Sequence, residues 1–263
     1  MIALGQYLPG TTVVHRLDPR MKTIAVVVMS PLIFTAPAAG IALISLFLAF
    51  VLAAARLPLA RTAAAVRPVA IFMTLIFLMH LFLTEGRPLL SLAPLPLRIT
   101  QEGLAQGAYV TWQFTCLVIV AAILTMTTLP SDLVGGIERL LRPLQRVGIP
   151  SQDIAVMISM ALRFIPMLLE EYERLRQAQM ARGADFTTGS LALRIRALAA
   201  LTVPLLLSAF RRADELALAM EARGYRRGPR TTLRELKLSG EDYAAFAVMT
   251  VFVLINVGLW VIL

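Results

Sequence analysis

The chain has one cysteine, two histidines and, among 25 basic residues, only two lysines. The lone Cys116 can build neither a disulfide framework nor a metal cluster, and inside an apolar segment it reads as a small core residue. His15 and His80 belong to no His-Glu-x-x-His motif or Cys/His cluster, so no metal centre is expected. His80 falls within an apolar stretch and reads as a hydrogen-bonded core residue. Lys22 and Lys237 lie outside any glycine-rich phosphate loop, which removes that route to ATP hydrolysis. No paired-carboxylate constellation stands in the membrane part, and neither a catalytic residue nor a cofactor is expected. Aromatics make up 7% and do not interleave with basic runs, which argues against a nucleic-acid partner. Residues 1–20 lack a long apolar core and an Ala-x-Ala cleavage site, so the first span is expected to act as an uncleaved anchor.

What is abundant is apolar surface. Of 263 residues, 58% are hydrophobic, and the mean hydropathy is +0.77. Soluble domains rarely exceed about half apolar, so the chain reads as an all-α polytopic membrane protein in contact with a lipid bilayer. A spanning helix takes roughly 20 apolar residues. Five candidates follow: 23–39 and 40–55, close enough to form a tight hairpin; 69–83, extended back to about Ala63; 104–128; and 243–263. The net charge of +9 is unevenly spread. Arg16, Arg20 and Lys22 precede the first span, Arg56, Arg61 and Arg67 lie between the second and third, and the 36–40 turn is uncharged. The 85–103 loop balances Arg87 and Arg98 with Glu85 and Glu102. All remaining basic side chains fall in 130–242. The positive-inside bias therefore places the N-terminus and 130–242 in the cytoplasm. Asp18 is expected to pair with Arg20 or Lys22 at the interface.

Three regions result: 1–128 with four spans, 129–242 as a cytoplasmic helical domain, and 243–263 as the last span. Within the middle region, 154–169 is interrupted by Arg163, and 197–210 is flanked by Arg194, Arg196, Arg211 and Arg212. Both read as too short and too charged to cross, an inserted extra hairpin being the alternative. Gly148 is expected to close one helix and Ser151 to cap the next, with Gly189-Ser190 starting another. Pro166 and Pro204 are expected to kink these two helices.

The two helices share a plan: apolar front half, proline, charged back half, and an Ala-Arg-Gly end. Arg182 and Arg223 lie 41 positions apart. One such end needs no function, because arginine suits the last helical turn and glycine commonly follows it. Two, at matching places, point to docking. Ala181 and Ala222 keep each tip narrow, Gly183 and Gly224 let the helix stop at once, and Arg182 and Arg223 each present a planar five-donor guanidinium. Such a tip fits a groove lined with carboxylates or helix-end carbonyls. The alternative function is a membrane-embedded lipid-processing enzyme, which would need a carboxylate or histidine constellation that the chain does not offer.

The chain resembles the transmembrane T component of energy-coupling factor (ECF) transporters over nearly its whole length. The segments that carry the likeness are "LGQYLPGTTVVHRLDPRMK" (4–22), "TEGRPLL" (84–90), "ITQEGL" (99–104), "TMTTLPSDLVGGIERLLRPLQRVGIP" (125–150), "RFIPMLLEEYERLRQAQMARGAD" (163–185) and "RRADELALAMEARGYR" (211–226). The resemblance implies a scaffold in a bacterial or archaeal plasma membrane rather than an ATPase. Arg182 and Arg223, with their Ala and Gly neighbours, would dock two ABC-type ATPase subunits. A small membrane-embedded S component would carry a vitamin or metal ion. Many family members have a basic residue early in the fourth span, where this chain has Gln113.

Overall fold

The computed structural model describes residues 7–92, 97–143, 150–184, 186, 190–226 and 239–262. They form two compact units, Met1–Ile137 with Arg234–Leu263, and Glu138–Leu233.

The first unit begins with a short helix α1 (Val13–Arg16) and α2 (Pro19–Thr35). Asp18 caps α2 by accepting from the Arg20 N–H, and Pro19 stands at the first helical position, where no N–H is needed. A two-residue break at Ala36-Pro37 leads into α3 (Ala38–Ala54). Next come α4 (Leu59–Val66), a 3-10 turn at Arg67–Val69 and α5 (Ala70–Leu83). Pro68 cannot donate to the ladder, and the helix tightens there instead of breaking. The 85–103 loop is a departure from an all-α chain: β1 (Pro88–Leu92) pairs antiparallel with β2 (Leu97–Thr100). Thr100 then caps α6 (Gln101–Thr127) through the Gly103 N–H. After α7 (Pro130–Leu141), the unit is completed by α10 (Gly240–Ile262).

Helix α6 is the centre: α2, α3, α4 and α5 pack on it, and α10 packs on α2 and α3. The core joins Ile33, Ile44, Cys116, Val120 and Phe252. A β-carbon on Gly103 would lie 2.6 Å from the His80 carbonyl oxygen, so glycine sets the close approach of α5 and α6. Outward positions such as Ile71, Leu46 and Ile262 are exposed apolar residues, as lipid contact requires. Several hydroxyls along the spans bond back to their own helix, Ser30 to Val26 and Thr74 to Ala70, which satisfies their donors without a partner from outside.

The second unit contains α8 (Ser151–Ala181) and α9 (Leu191–Ala222), which pack on one another. Pro166 and Pro204 lie inside these helices, which continue through them. Pro150, not Ser151, is the N-cap of α8, because Ser151 already has helical geometry. Gly148 and Gly189 lie outside the described residues. The apolar run 154–169 belongs to a longer helix, which reaches the size of a membrane span by length and composition alone. Helix α8 runs unbroken through Arg163 for 31 residues, and Gln152–Ala181 is long and apolar enough to span a membrane. Leu59–Leu83, Gln101–Thr127 and Gly240–Ile262 meet the same criterion, and Ala38–Ala54 is a shorter apolar helix.

Candidate functional site

The ends of α8 and α9 are built alike. After α8, the Gly183 N–H donates to the Met180 carbonyl at 2.9 Å and the Ala184 N–H to Gln179 at 3.0 Å. After α9, the Gly224 N–H donates to Glu221 at 2.9 Å and the Tyr225 N–H to Met220 at 2.9 Å. Each is a Schellman closure, which answers two carbonyls that a helix end would otherwise leave orphaned. It requires the residue after the cap to be left-handed, and Gly183 has φ +83 and Gly224 φ +73. Nothing lies within 4 Å of where a β-carbon would stand at either glycine, so backbone conformation and not crowding selects glycine.

Arg182 and Arg223 occupy the same cap position, with φ/ψ of −88/8 and −86/9. Both are exposed, as are Ala181 and Ala222. Neither guanidinium has an ion pair with a described residue. The arginines farther back differ. Arg174 reaches Glu170 at 3.6 Å, Arg176 reaches Glu173 at 3.6 Å, and Arg212 bridges from α9 to Glu171 of α8 at 3.7 Å while touching Met167. Three arginines along α8 and α9 thus meet glutamates, whereas the two at the helix ends make no ion pair with a described residue.

The first unit holds a polar node that the sequence reading only partly found. Asp18 pairs with Arg20 rather than Lys22, through Nη2–Oδ2 at 2.8 Å and Nε–Oδ1 at 3.1 Å. The buried Lys22 instead donates to the carbonyls of His15 at 3.1 Å and Thr127 at 3.0 Å, covering the C-terminal end of α6. Asp242 joins them. Its Oδ1 accepts from the Asp18 N–H at 2.7 Å, and its Oδ2 accepts from the Ser239 N–H at 2.7 Å and hydroxyl at 2.8 Å. Ser239-Gly240-Glu241-Asp242 is a capping-box pattern, so the helix start was readable; the contact with Asp18 was not. His15 lies against Thr12 Oγ1 at 2.7 Å and the Leu8 carbonyl at 3.1 Å, and burial pushes its pKa below the ordinary value. A neutral ring meets both contacts, accepting from the hydroxyl and donating to the carbonyl.

Gln113 has a specific task. Pro37 carries no N–H, so the Ile33 carbonyl loses its partner four residues on. The buried Gln113 Nε2 donates to it at 2.9 Å, and one turn earlier the Tyr109 hydroxyl donates to the Ala36 carbonyl. A basic side chain could serve the same helix end. His80 contacts the Thr84 hydroxyl at 3.4 Å, and Cys116 is buried beside Ser45. Among the described residues no group of three His, Cys, Asp or Glu side chains is placed to hold a metal ion.

Comparison with known proteins agrees with this architecture. The family model described as CbiQ, cobalt transport protein, matches residues 10–233. A Heliobacterium modesticaldum protein is 48% identical over 257 residues, covering 97% of this chain and 96% of its own length. A Thermosediminibacter oceani protein is 43% identical, covering 93% of this chain and 92% of its own length. One from Bacillus subtilis is 40% identical, covering 91% of each. All three are named energy-coupling factor transporter transmembrane protein EcfT. Nothing among them supports a lipid-processing enzyme. An apolar helical bundle, two matched arginine-tipped helices and similarity along almost the full length converge: the chain belongs to the CbiQ family of cobalt transport proteins, as a transmembrane component of energy-coupling factor transporters.

Proposed function

We propose that the chain is the scaffold through which two ABC-type ATPase subunits drive an ECF importer. Ala181-Arg182-Gly183 and Ala222-Arg223-Gly224 each dock one ATPase, the guanidinium entering a groove lined with carboxylates or helix-end carbonyls. The observation that carries this reading is the duplicated closure, with an exposed and unpaired arginine at the same cap position of both helices. In this reading residues 1–128 and 243–263 form the membrane part and 129–242 the coupling domain. The concentration of basic residues in 130–242 supports a cytoplasmic location for that stretch and for the N-terminus. ATP hydrolysis comes from the partners. Closure of the ATPase pair moves α8 and α9, which tip a small membrane-embedded S component and release its vitamin or metal ion inside the cell. The family's description as cobalt transport protein is compatible with a metal ion.

Replacing Arg182 or Arg223 with alanine tests the docking. Removing one side of a desolvated charged contact costs about 2–5 kcal/mol. Each single variant should therefore co-purify less ATPase, and the double variant should insert in the membrane but transport nothing. Normal assembly and uptake by the double variant would exclude docking through these tips.

A further inference from the structure

Two hollows in the first unit adjoin at the end where α2 and α10 begin and α3 and α6 finish. One is an apolar groove of about 240 Å³ that includes Ala25, Met29, Phe47, Ala245 and Met249 in its wall. The other is a polar cavity of about 430 Å³ bordered by Arg16, Asp18, Thr128, Asp132 and Asp242. Leu17, Lys22 and Thr127 line both. From Lys22 to Met29 the groove follows seven residues of α2, about 10 Å, against roughly 15 Å of hydrocarbon in one leaflet.

The polar cavity has unmet chemistry. Thr128 is 6% exposed, yet its hydroxyl has no hydrogen-bond partner. Arg16 is exposed and makes no ion pair with a described residue. Lys22 spends two of its three N–H donors on carbonyls. The carboxylates are engaged: Asp18 by Arg20, Asp242 by the Asp18 N–H and Ser239, and Asp132 by partners of its own. What remains is a guanidinium, an ammonium donor and a hydroxyl, a set suited to phosphate oxygens. A free anion would leave the groove empty, and an apolar helix from another protein would leave the cavity unanswered. We propose that this composite site holds one glycerophospholipid, an acyl chain in the groove and the phosphate against Arg16, Lys22 and Thr128.

The test uses the full-length protein, with any subunits that co-purify, and native mass spectrometry after stringent detergent washing. One phospholipid per chain should remain, displaced by phosphatidylglycerol but not by diacylglycerol or inorganic phosphate. Lys22 closes a helix end, so its replacement would confuse folding with binding. Arg16→Gln and Ala245→Phe avoid this; one removes a phosphate contact and the other fills the groove. Each should weaken lipid retention roughly ten-fold while leaving thermal unfolding near wild type. Absence of retained lipid, or equal retention in both variants, would overturn the proposal. Displacement by inorganic phosphate alone would make the cavity a free-anion site and also overturn it. So would crosslinking of a partner polypeptide at Ala245→Cys in lipid-free protein, which would make the groove a protein interface.

Discussion

In the membrane unit, the charged side chains that leave water are answered from within. Asp18 meets Arg20, Asp242 meets the start of α2 and its own capping serine, and Lys22 covers the end of α6. In the Glu138–Leu233 unit, the arginines at the tips are left open, and large apolar side chains such as Leu207, Phe210 and Leu218 are exposed. Leu201 is the buried hydrophobic residue among those described there. Burying a charge without a partner is costly, so a membrane bundle has to complete its polar contacts internally. The difference separates buried charges answered within their own unit from arginines left exposed at two helix ends.

The largest expected effect breaks this contrast at the open end. Changing Arg182 and Arg223 together to lysine keeps both charges and removes the planar fork. ATPase co-purification should fall well below wild type yet stay above the double alanine variant, and equality with wild type would show that charge alone suffices. At the closed end, Asp242→Ala leaves the N–H groups of Asp18 and Ser239 without their acceptor. The Asp18 N–H is the buried one of the two, and orphaning it costs about 1–3 kcal/mol, so thermal unfolding in detergent should show a clear loss of stability without altered tip geometry. An unchanged melting temperature would mean that water replaces the carboxylate. Gln113→Leu should lose about 1–3 kcal/mol by stranding the Ile33 carbonyl, whereas Gln113→Lys should recover most of it; equal losses would assign the effect to packing. The smallest effect concerns a third helix end. After α3, the Arg56 N–H donates to Ala53 and the Leu57 N–H to Leu52, the same closure as at the tips, but here arginine itself takes the left-handed position at φ 52. Arg56→Gly should stabilise the chain by about 1 kcal/mol by relieving that strain, measurable by the same melts.

The matched tips were legible because everything that makes them is local. Two hydrogen bonds within six residues and a glycine at the left-handed position are written in the order Ala-Arg-Gly. The apolar runs were legible for a similar reason, since a helix in lipid satisfies its own backbone. Arg163 interrupts the apolar run 154–169 without interrupting the helical spacing around it, and α8 runs through it as that spacing predicts. Where reading stopped, several short-range signals competed. The 85–103 loop carried balanced charges that said nothing of the β1–β2 pairing.

Taken alone, the sequence determined the membrane class, the apolar helices and the two arginine-tipped ends, because composition, periodicity and capping act over a few turns of chain. Only the tertiary structure decided which buried polar groups meet. Asp18 and Asp242 are 224 residues apart, and Gln113 lies 80 residues from the carbonyl it answers. No local propensity encodes such a pairing; it appears only when packed helices bring an orphaned backbone group within about 3 Å of a side chain that can satisfy it.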